Sequence, residues 1–348
     1  INNWRRKFEN GYLQINNLFD YSDQFFNFGN LASNLKTSNI FTSVDYKYLL
    51  SDRFTFQGGA QLTNTRYTFD NQFSEYLYSV ADDIPTFKQD SVLSNNPTEG
   101  YLYCNWELND KWNLSSGLRS NILRDRHAYL SSQFAVNFQP SPKHRLLLSA
   151  GRYNNFSTPN FSLQSIDLLT SYQAALDYDF KVEGFNLLAA VYYKLESGQF
   201  EDAEMMIFNE VESVGIELLV RKSFAKHFEI TFANTFIDQK IVTDEGRFRS
   251  SSDFDYFFKA SLQFNNEDYF NAALSFIGRP GQYFTPVSGR TFNPTIDIYE
   301  PIFSQDRNSA QFNADNSLNL SVNRYFPLGD KAIICFLSVI NILNRKNQ

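Results

Sequence analysis

The chain has 348 residues, 43% hydrophobic and 20% charged, with a net charge of −7. Its mean hydropathy of −0.39, with no run near the ~20 apolar residues that a spanning helix needs, excludes a helical membrane protein. An acidic balance without a basic stripe excludes nucleic acid as a partner.

The aromatic content is high, with 36 Phe, 20 Tyr and 3 Trp. These residues favour strands, and Tyr suits a boundary between lipid and water, where one end of the ring is wet. Cys104 and Cys335 lie far apart and give neither metal spacing nor a disulfide framework. The chain opens INNWRRKFENGYLQ, without the apolar stretch of a signal peptide. The expectation is a processed precursor or a sequence that starts mid-protein.

Two-residue alternation predicts fifteen strands in chain order: 9–20, 37–49, 53–69, 99–109, 111–124, 128–139, 143–153, 169–180, 184–196, 207–222, 226–241, 254–265, 268–278, 315–326 and 331–343. In 99–109, Leu102, Cys104, Trp106 and Leu108 oppose Tyr103, Asn105 and Glu107. In 184–196, Phe185, Leu187, Ala189, Val191, Tyr193 and Leu195 oppose Asn186, Ala190, Tyr192 and Lys194, with Leu188 the misfit. In 254–265, Tyr256, Phe258, Ala260, Leu262 and Phe264 oppose Lys259, Ser261, Gln263 and Asn265. Most segments exceed the ~5–6 residues of soluble strands and match the ~9–11 that cross a membrane.

Every other connection is tight: 49–53, 108–112, 139–144, 180–184, 223–227, 265–268 and 327–331. Between them come longer ones, at 21–36, 70–98, 154–168, 197–206, 242–253 and 279–314, with 125–127 the short exception. Short turns on one rim and long loops on the other mark outer-membrane barrels, turns periplasmic and loops extracellular. The expected fold is therefore all-β, an antiparallel transmembrane β-barrel over 1–348. Fifteen is odd, whereas bacterial single-chain barrels have even strand numbers. An open edge in lipid would leave backbone groups unpaired at several kcal/mol each, so a fragment is expected.

From about residue 143 onward the sequence resembles the barrel of TonB-dependent receptors, in the style of those from Bacteroidetes. HRLLLSAGRYNNFSTPNFSLQSIDLLTSYQAALDYDF is similar to the family's strand ending in Ala-Gly, followed by a loop with Ser/Thr-Pro. Ser171 to Asp177 takes the place of its next strand, with Ala175 and Leu176 replacing the usual Glu and its neighbour. Gly215 and Glu217 match a Gly-x-Glu strand. Gly281 to Gly289, after Arg279 and Pro280, resembles the late Gly-rich segment, and Asn341 to Asn344 resembles the penultimate-strand signature. The resemblance implies the C-terminal part of a plugged barrel of about 22 strands, with the plug, several early strands and the final strand outside these residues. It implies energy-coupled uptake of a metal chelate, an oligosaccharide or a peptide, with TonB and the protein's own plug as partners beside outer-membrane lipid. A surface lipoprotein or other outer-membrane subunits are further candidate partners. Two rival readings stand: an interaction barrel within a larger outer-membrane assembly, and a passive porin.

No cofactor, metal site or catalytic constellation is expected. His127, His144 and His227 fall at turns or a loop tip, away from any nucleophile or paired acid. Arg279, Arg290 and Arg307, with Tyr283, Phe284 and Tyr299, lie in the longest loop and suit an anionic or sugar-like ligand, although a loop scaffold is the plainer reading. Glu201, Asp202 and Glu204 beside Met205 and Met206 suit a cationic or metal-bearing ligand, against a solvated loop tip. Glu217 faces inward with Arg221 as a candidate lumen or plug contact. Asp45, Lys47, Arg53, Gln57, Gln61, Arg119, Asp177 and Lys194 are expected to line a polar lumen.

Overall fold

A computed structural model describes residues 1–76, 84–121, 128–160, 164–202, 205–266 and 269–346. Among these residues there are twenty-two strands and no helix. The chain divides into two units, one of residues 1–135, 151–172 and 287–302, the other of residues 136–150, 173–286 and 303–348.

The first unit contains β1 (Asn2–Phe8), β2 (Gly11–Phe28), β3 (Leu31–Ser51), β4 (Phe54–Ser74), β5 (Thr86–Asn95), β6 (Thr98–Asn109) and β7 (Trp112–Asn121). Neighbouring strands pair antiparallel, and β4 carries β5 on its far half and β6 on its near half. Next come β8 (Leu130–Ser141), β9 (His144–Phe156) and β10 (Leu168–Val182), each with residues in both units. The second unit continues with β11 (Phe185–Asp202), β12 (Met205–Phe224), β13 (Phe228–Thr243), β14 (Gly246–Arg249), β15 (Tyr256–Asn266) and β16 (Phe270–Arg279). The short β17 (Tyr283–Phe284), β18 (Val287–Asn293), β19 (Ile298–Phe303) and β20 (Ala310–Gln311) lie in the loop that follows, before β21 (Asp315–Leu328) and β22 (Lys331–Val339). In the second unit the long strands pair in sequence from β11 to β13, then through β15, β16 and β21 to β22.

Each of the fifteen expected segments is a strand, and the tight turns fall where the alternation breaks. Several expectations change: residues 86–95, expected within a loop, form β5 against the far half of β4, and residues 197–202, also expected as loop, continue β11 against β12. Residues 2–8 form a strand ahead of the first expected segment. Residues 21–36, expected as a loop, are a continued β2–β3 hairpin that turns only at Gly29 and Asn30. Gly29 sits there at φ 58°, a conformation that costs glycine little.

The burial pattern is inverted relative to a soluble sheet. On β3 and β4, Ile40 is 55% exposed and Leu62 54%, while on the opposite face Ser43 is 4% exposed and Asn71 0%. Pairing places Val44 beside Ala60, Thr42 beside Leu62, Gly58 beside Leu102 and Leu102 beside Leu118 on the exposed face. On β12, Val214 and Ile216 are exposed whereas Ser213 is buried. Large buried apolar side chains are few among the described residues, among them Phe69, Tyr129, Val211, Ile241 and Pro159. Such a sheet is unstable in water and suits a hydrocarbon solvent. The apolar face of β4 runs from Phe54 to Leu62 and then gives way to Asn64 and Arg66. On β12 the same face runs from Val220 to Val214 and ends at Glu212. The β4 band, nine residues long, matches the ~9–11 residues of a membrane-crossing strand, and the β12 band is shorter, at seven.

Aromatic rings gather where the band meets the tight turns of the second unit. Phe228 lies 5.5 Å from Phe224 and 5.0 Å from Phe264, and Phe264 lies 5.1 Å from Phe270. This is the composition of an aromatic girdle at one interface.

On the polar face, tyrosines cover glycines directly opposite them. Tyr101 lies over Gly59, Tyr103 over Gly117 and Tyr192 over Gly215. A Cβ at Gly117 or Gly215 would overlap the ring, so glycine is required there by close approach rather than by backbone angle.

Leu218, midway along the apolar band of β12, provides a test. Leu218→Arg is expected to lower stability in phospholipid vesicles by ~2–4 kcal/mol, whereas Glu217→Arg, one residue away on the polar face, changes it by about 0.5 kcal/mol or less. Denaturant titration in vesicles reads both, and equal costs would refute the assignment of faces.

Candidate functional site

Three polar clusters come from the alternation described above. In the first unit, Asn16 donates to Asp45 at 3.0 Å and to Ser43 at 3.0 Å, and the Tyr101 hydroxyl donates to the other oxygen of Asp45. One register step further along, Glu99 is buried and receives Arg119 at 3.0 Å and 2.5 Å, together with Gln61 and the Tyr129 hydroxyl. A buried carboxylate needs such compensation, because an unpaired charge there would be strongly destabilising. These two clusters tie five adjacent strands, β2, β3, β4, β6 and β7, across their polar face.

The second unit carries a third cluster at the loop ends of β13, β15 and β16. Asp253 has a fully buried side chain and accepts from the Gln239 amide at 3.1 Å and from Arg249 Nη1 at 3.0 Å. The same Arg249 nitrogen lies 2.5 Å from Asp255, whose other oxygen accepts from the Tyr283 hydroxyl at 3.0 Å. The Arg249 guanidinium stands 4.7 Å over the Tyr283 ring. Burial raises the Asp253 carboxyl above its ordinary range, more than the Gln239 amide and Arg249 lower it. For Asp255, burial acts upward but bonds from Arg249 and Tyr283 outweigh it and hold the carboxyl below its usual range.

Of the six loop residues proposed from sequence, the structure brings together some and not others. Arg279 bonds Asp315 at 3.2 Å, its direct partner across β16 and β21. Phe284 stacks on Phe312 at 4.3 Å. Arg307 reaches Glu245 at 3.3 Å and covers Phe248. Arg290 and Tyr299 form a separate cation–π pair at 4.5 Å in the β18–β19 hairpin of the first unit.

Sequence reading missed Arg247, Arg249 and Asp253, because 242–253 was taken as irregular loop, and Asp255, which was taken as the start of the strand 254–265. Residues 246–249 form a strand against β13, pairing Lys240 with Arg249 and Val242 with Arg247. The available signal was charge at period two, Arg-Phe-Arg followed by Asp-Phe-Asp.

Glu217 lines a polar-face cavity of about 460 Å³ with Arg145, Asp177, Asp179, Leu188 and Thr235. Its expected neighbour Arg221 pairs instead with Glu229, at 3.4 Å on β13. Residues four apart in a strand are separated by about 13 Å, so Arg221 takes the diagonal carboxylate on the adjacent strand. Lys194 pairs with Glu196 at 2.8 Å. Arg53 sits in the β3–β4 turn and faces Asp110 at 3.6 Å rather than a lumen wall. Lys47 and Gln57 share a cavity of about 320 Å³ with Tyr103. His144 contacts the Tyr178 hydroxyl at 2.8 Å and His227 the Asn265 carbonyl at 3.0 Å. His127 and Glu204 lie outside the described residues. Glu201 and Asp202 pair through backbone with Met206 and Met205 at the hairpin tip.

No known family model matches the sequence, and no curated protein matches it. Solved structures do match in fold. The ferric yersiniabactin uptake receptor FyuA from Yersinia pestis superposes with a TM-score of 0.67 at 12% identity, over 97% of this chain and 59% of its own. The siderophore receptor PiuA from Acinetobacter baumannii gives 0.63 at 11%, over 99% and 59%. The copper transporter OprC gives 0.69 at 11%, over 92% and 55%. The chain thus spans less than two thirds of the length of these proteins. They are TonB-dependent receptors and transporters rather than enzymes, and the fold is that of their outer-membrane β-barrel.

The two loop carboxyls make opposite contributions to stability. Asp253, raised on folding, favours the folded loop at low pH and loses that contribution as pH rises through its folded value. Asp255, lowered on folding, stabilises above its unfolded value and loses that as pH falls through its folded value. At pH 7, Asp255→Asn is therefore expected to speed proteolysis of the 243–255 hairpin more than Asp253→Asn does, with the gap closing as pH falls. Equal cleavage of the two variants at pH 7 would refute this assignment.

Proposed function

We propose that the chain is the wall of a TonB-dependent transporter in a Gram-negative outer membrane, with its long connections extracellular and its tight turns periplasmic. The observation that carries this reading is the sheet with one polar face and exposed apolar bands on the other, in the fold shared with FyuA, PiuA and OprC. A plug of the same protein would sit against the polar face, where Glu217, Asp177 and Arg145 line the open cavity. TonB would supply the energy for release, and a surface lipoprotein or another outer-membrane subunit is a further partner to seek. The solute belongs to the classes that need active uptake: metal chelates, oligosaccharides or peptides. Of the three fold neighbours named above, one is titled for ferric yersiniabactin, one for a siderophore and one for copper, which favours a metal chelate.

Removal of the protein from its host is expected to slow growth in one of three limited media, metal-, glycan- or peptide-limited, and removal of TonB is expected to give the same defect. Normal growth in all three would sink the transport reading. A defect that TonB removal does not reproduce would mark a passive channel.

A further inference from the structure

We infer that the outer loops of the second unit hold an anion-binding pocket built by Arg247, Arg249 and Arg307, which takes a ligand bearing several carboxylate or phosphate oxygens. These three arginines line one open cavity of about 530 Å³, together with Tyr283 and two carboxylates, Glu245 and Asp306. The volume suits a small solute or one headgroup of a larger ligand.

The arginines reach this cavity from two directions. Arg247 and Arg249 come from β14, held there by pairing with Val242 and Lys240. Arg307 comes from the loop before β20, over the ring of Phe248 at 5.2 Å. Each is fixed through one terminal nitrogen: Arg247 Nη1 to Glu212 at 3.2 Å, Arg249 Nη1 to Asp253 and Asp255, and Arg307 Nη2 to Glu245 at 3.3 Å. A guanidinium carries five N–H donors in a rigid fork, so one pinned nitrogen orients the group and leaves the fork's other edge for bidentate oxygens. The Glu245 side chain is 80% exposed, and an exposed ion pair of that kind is weak. An incoming oxyanion can therefore displace Glu245 from Arg307 at little cost. The buried pair around Arg249 stays in place and acts as the anchor.

This rests on the loops being extracellular, as in the proposed transporter, but not on energy coupling. The oxyanions have two sources at that rim: a free solute, or the phosphates of lipopolysaccharide. The test uses the whole protein extracted from the outer membrane in detergent, with citrate and inorganic pyrophosphate as probes in calorimetric titration. Saturable binding is expected, weakening as salt rises. Arg247→Gln and Arg307→Gln should each weaken it at least about tenfold, while Arg290→Gln, outside the cavity, should leave it unchanged. Resistance of the barrel to heat-induced unfolding on gels shows that each variant is folded. Lipopolysaccharide that competes with citrate in the parent but is retained less by Arg307→Gln would name the lipid phosphate as the source. Lack of competition would name a free solute. Absence of saturable binding in the folded parent, or binding equally strong in both pocket variants, would overturn the pocket. Either result leaves the growth phenotype, and with it the transport reading, to be judged separately.

Discussion

Backbone hydrogen bonding in a solvent that offers none is the constraint on which the rest of the structure depends. A strand crossing hydrocarbon must pair its amides and carbonyls with neighbouring strands, since each unpaired group costs several kcal/mol. The long antiparallel ladders supply those partners residue by residue, as between Phe185–Asp202 and Met205–Phe224. Once the ladder is fixed, the side-chain period of two does the remaining sorting. One face meets lipid and becomes apolar without any core behind it. The other is free to carry Asp45, Glu99, Arg119 and Asp177, which lipid would reject.

The polar face is organised by two devices that depend on register. Carboxylates are saturated in place, as Glu99 is by Arg119, Gln61 and Tyr129. Rings opposite glycine lie flat on the neighbouring strand, as Tyr192 does over Gly215. A slip of one residue would send both devices into lipid, so they hold the register as strongly as the apolar band does. At the strand ends the constraint relaxes. There the sheet continues past the apolar band, and β4, with 21 residues, is about twice as long as a crossing requires.

That division of labour explains what the sequence could and could not reveal. The fifteen segments were legible because lipid on one side and polar groups on the other impose alternation over their whole length. Residues 2–8, NNWRRKF, hide a strand because Arg5, Arg6 and Lys7 stand in succession. Residues 21–28 hide one because a strand outside lipid has no reason to alternate. The loop candidates were less legible still. Arg279 and Arg307 were visible as charges, but Asp315 and Glu245, the groups that hold them, lie 36 and 62 residues away in sequence. Arg290, equally visible, belongs to a different hairpin. Single-sequence charge counting cannot separate these cases, since only the fold decides which guanidinium meets which carboxylate.

The orientation of the sheet can be read directly by nitroxide labels at consecutive positions from 213 to 220 on β12, in the whole protein within bilayers. Collision with oxygen, which partitions into lipid, is expected to peak at Val214, Ile216, Leu218 and Val220. Collision with a water-soluble nickel chelate is expected to peak at Ser213, Gly215, Glu217 and Leu219. A profile without two-residue alternation, or one with the two reagents exchanged, would show that the apolar band does not face lipid and would remove the basis for the membrane wall.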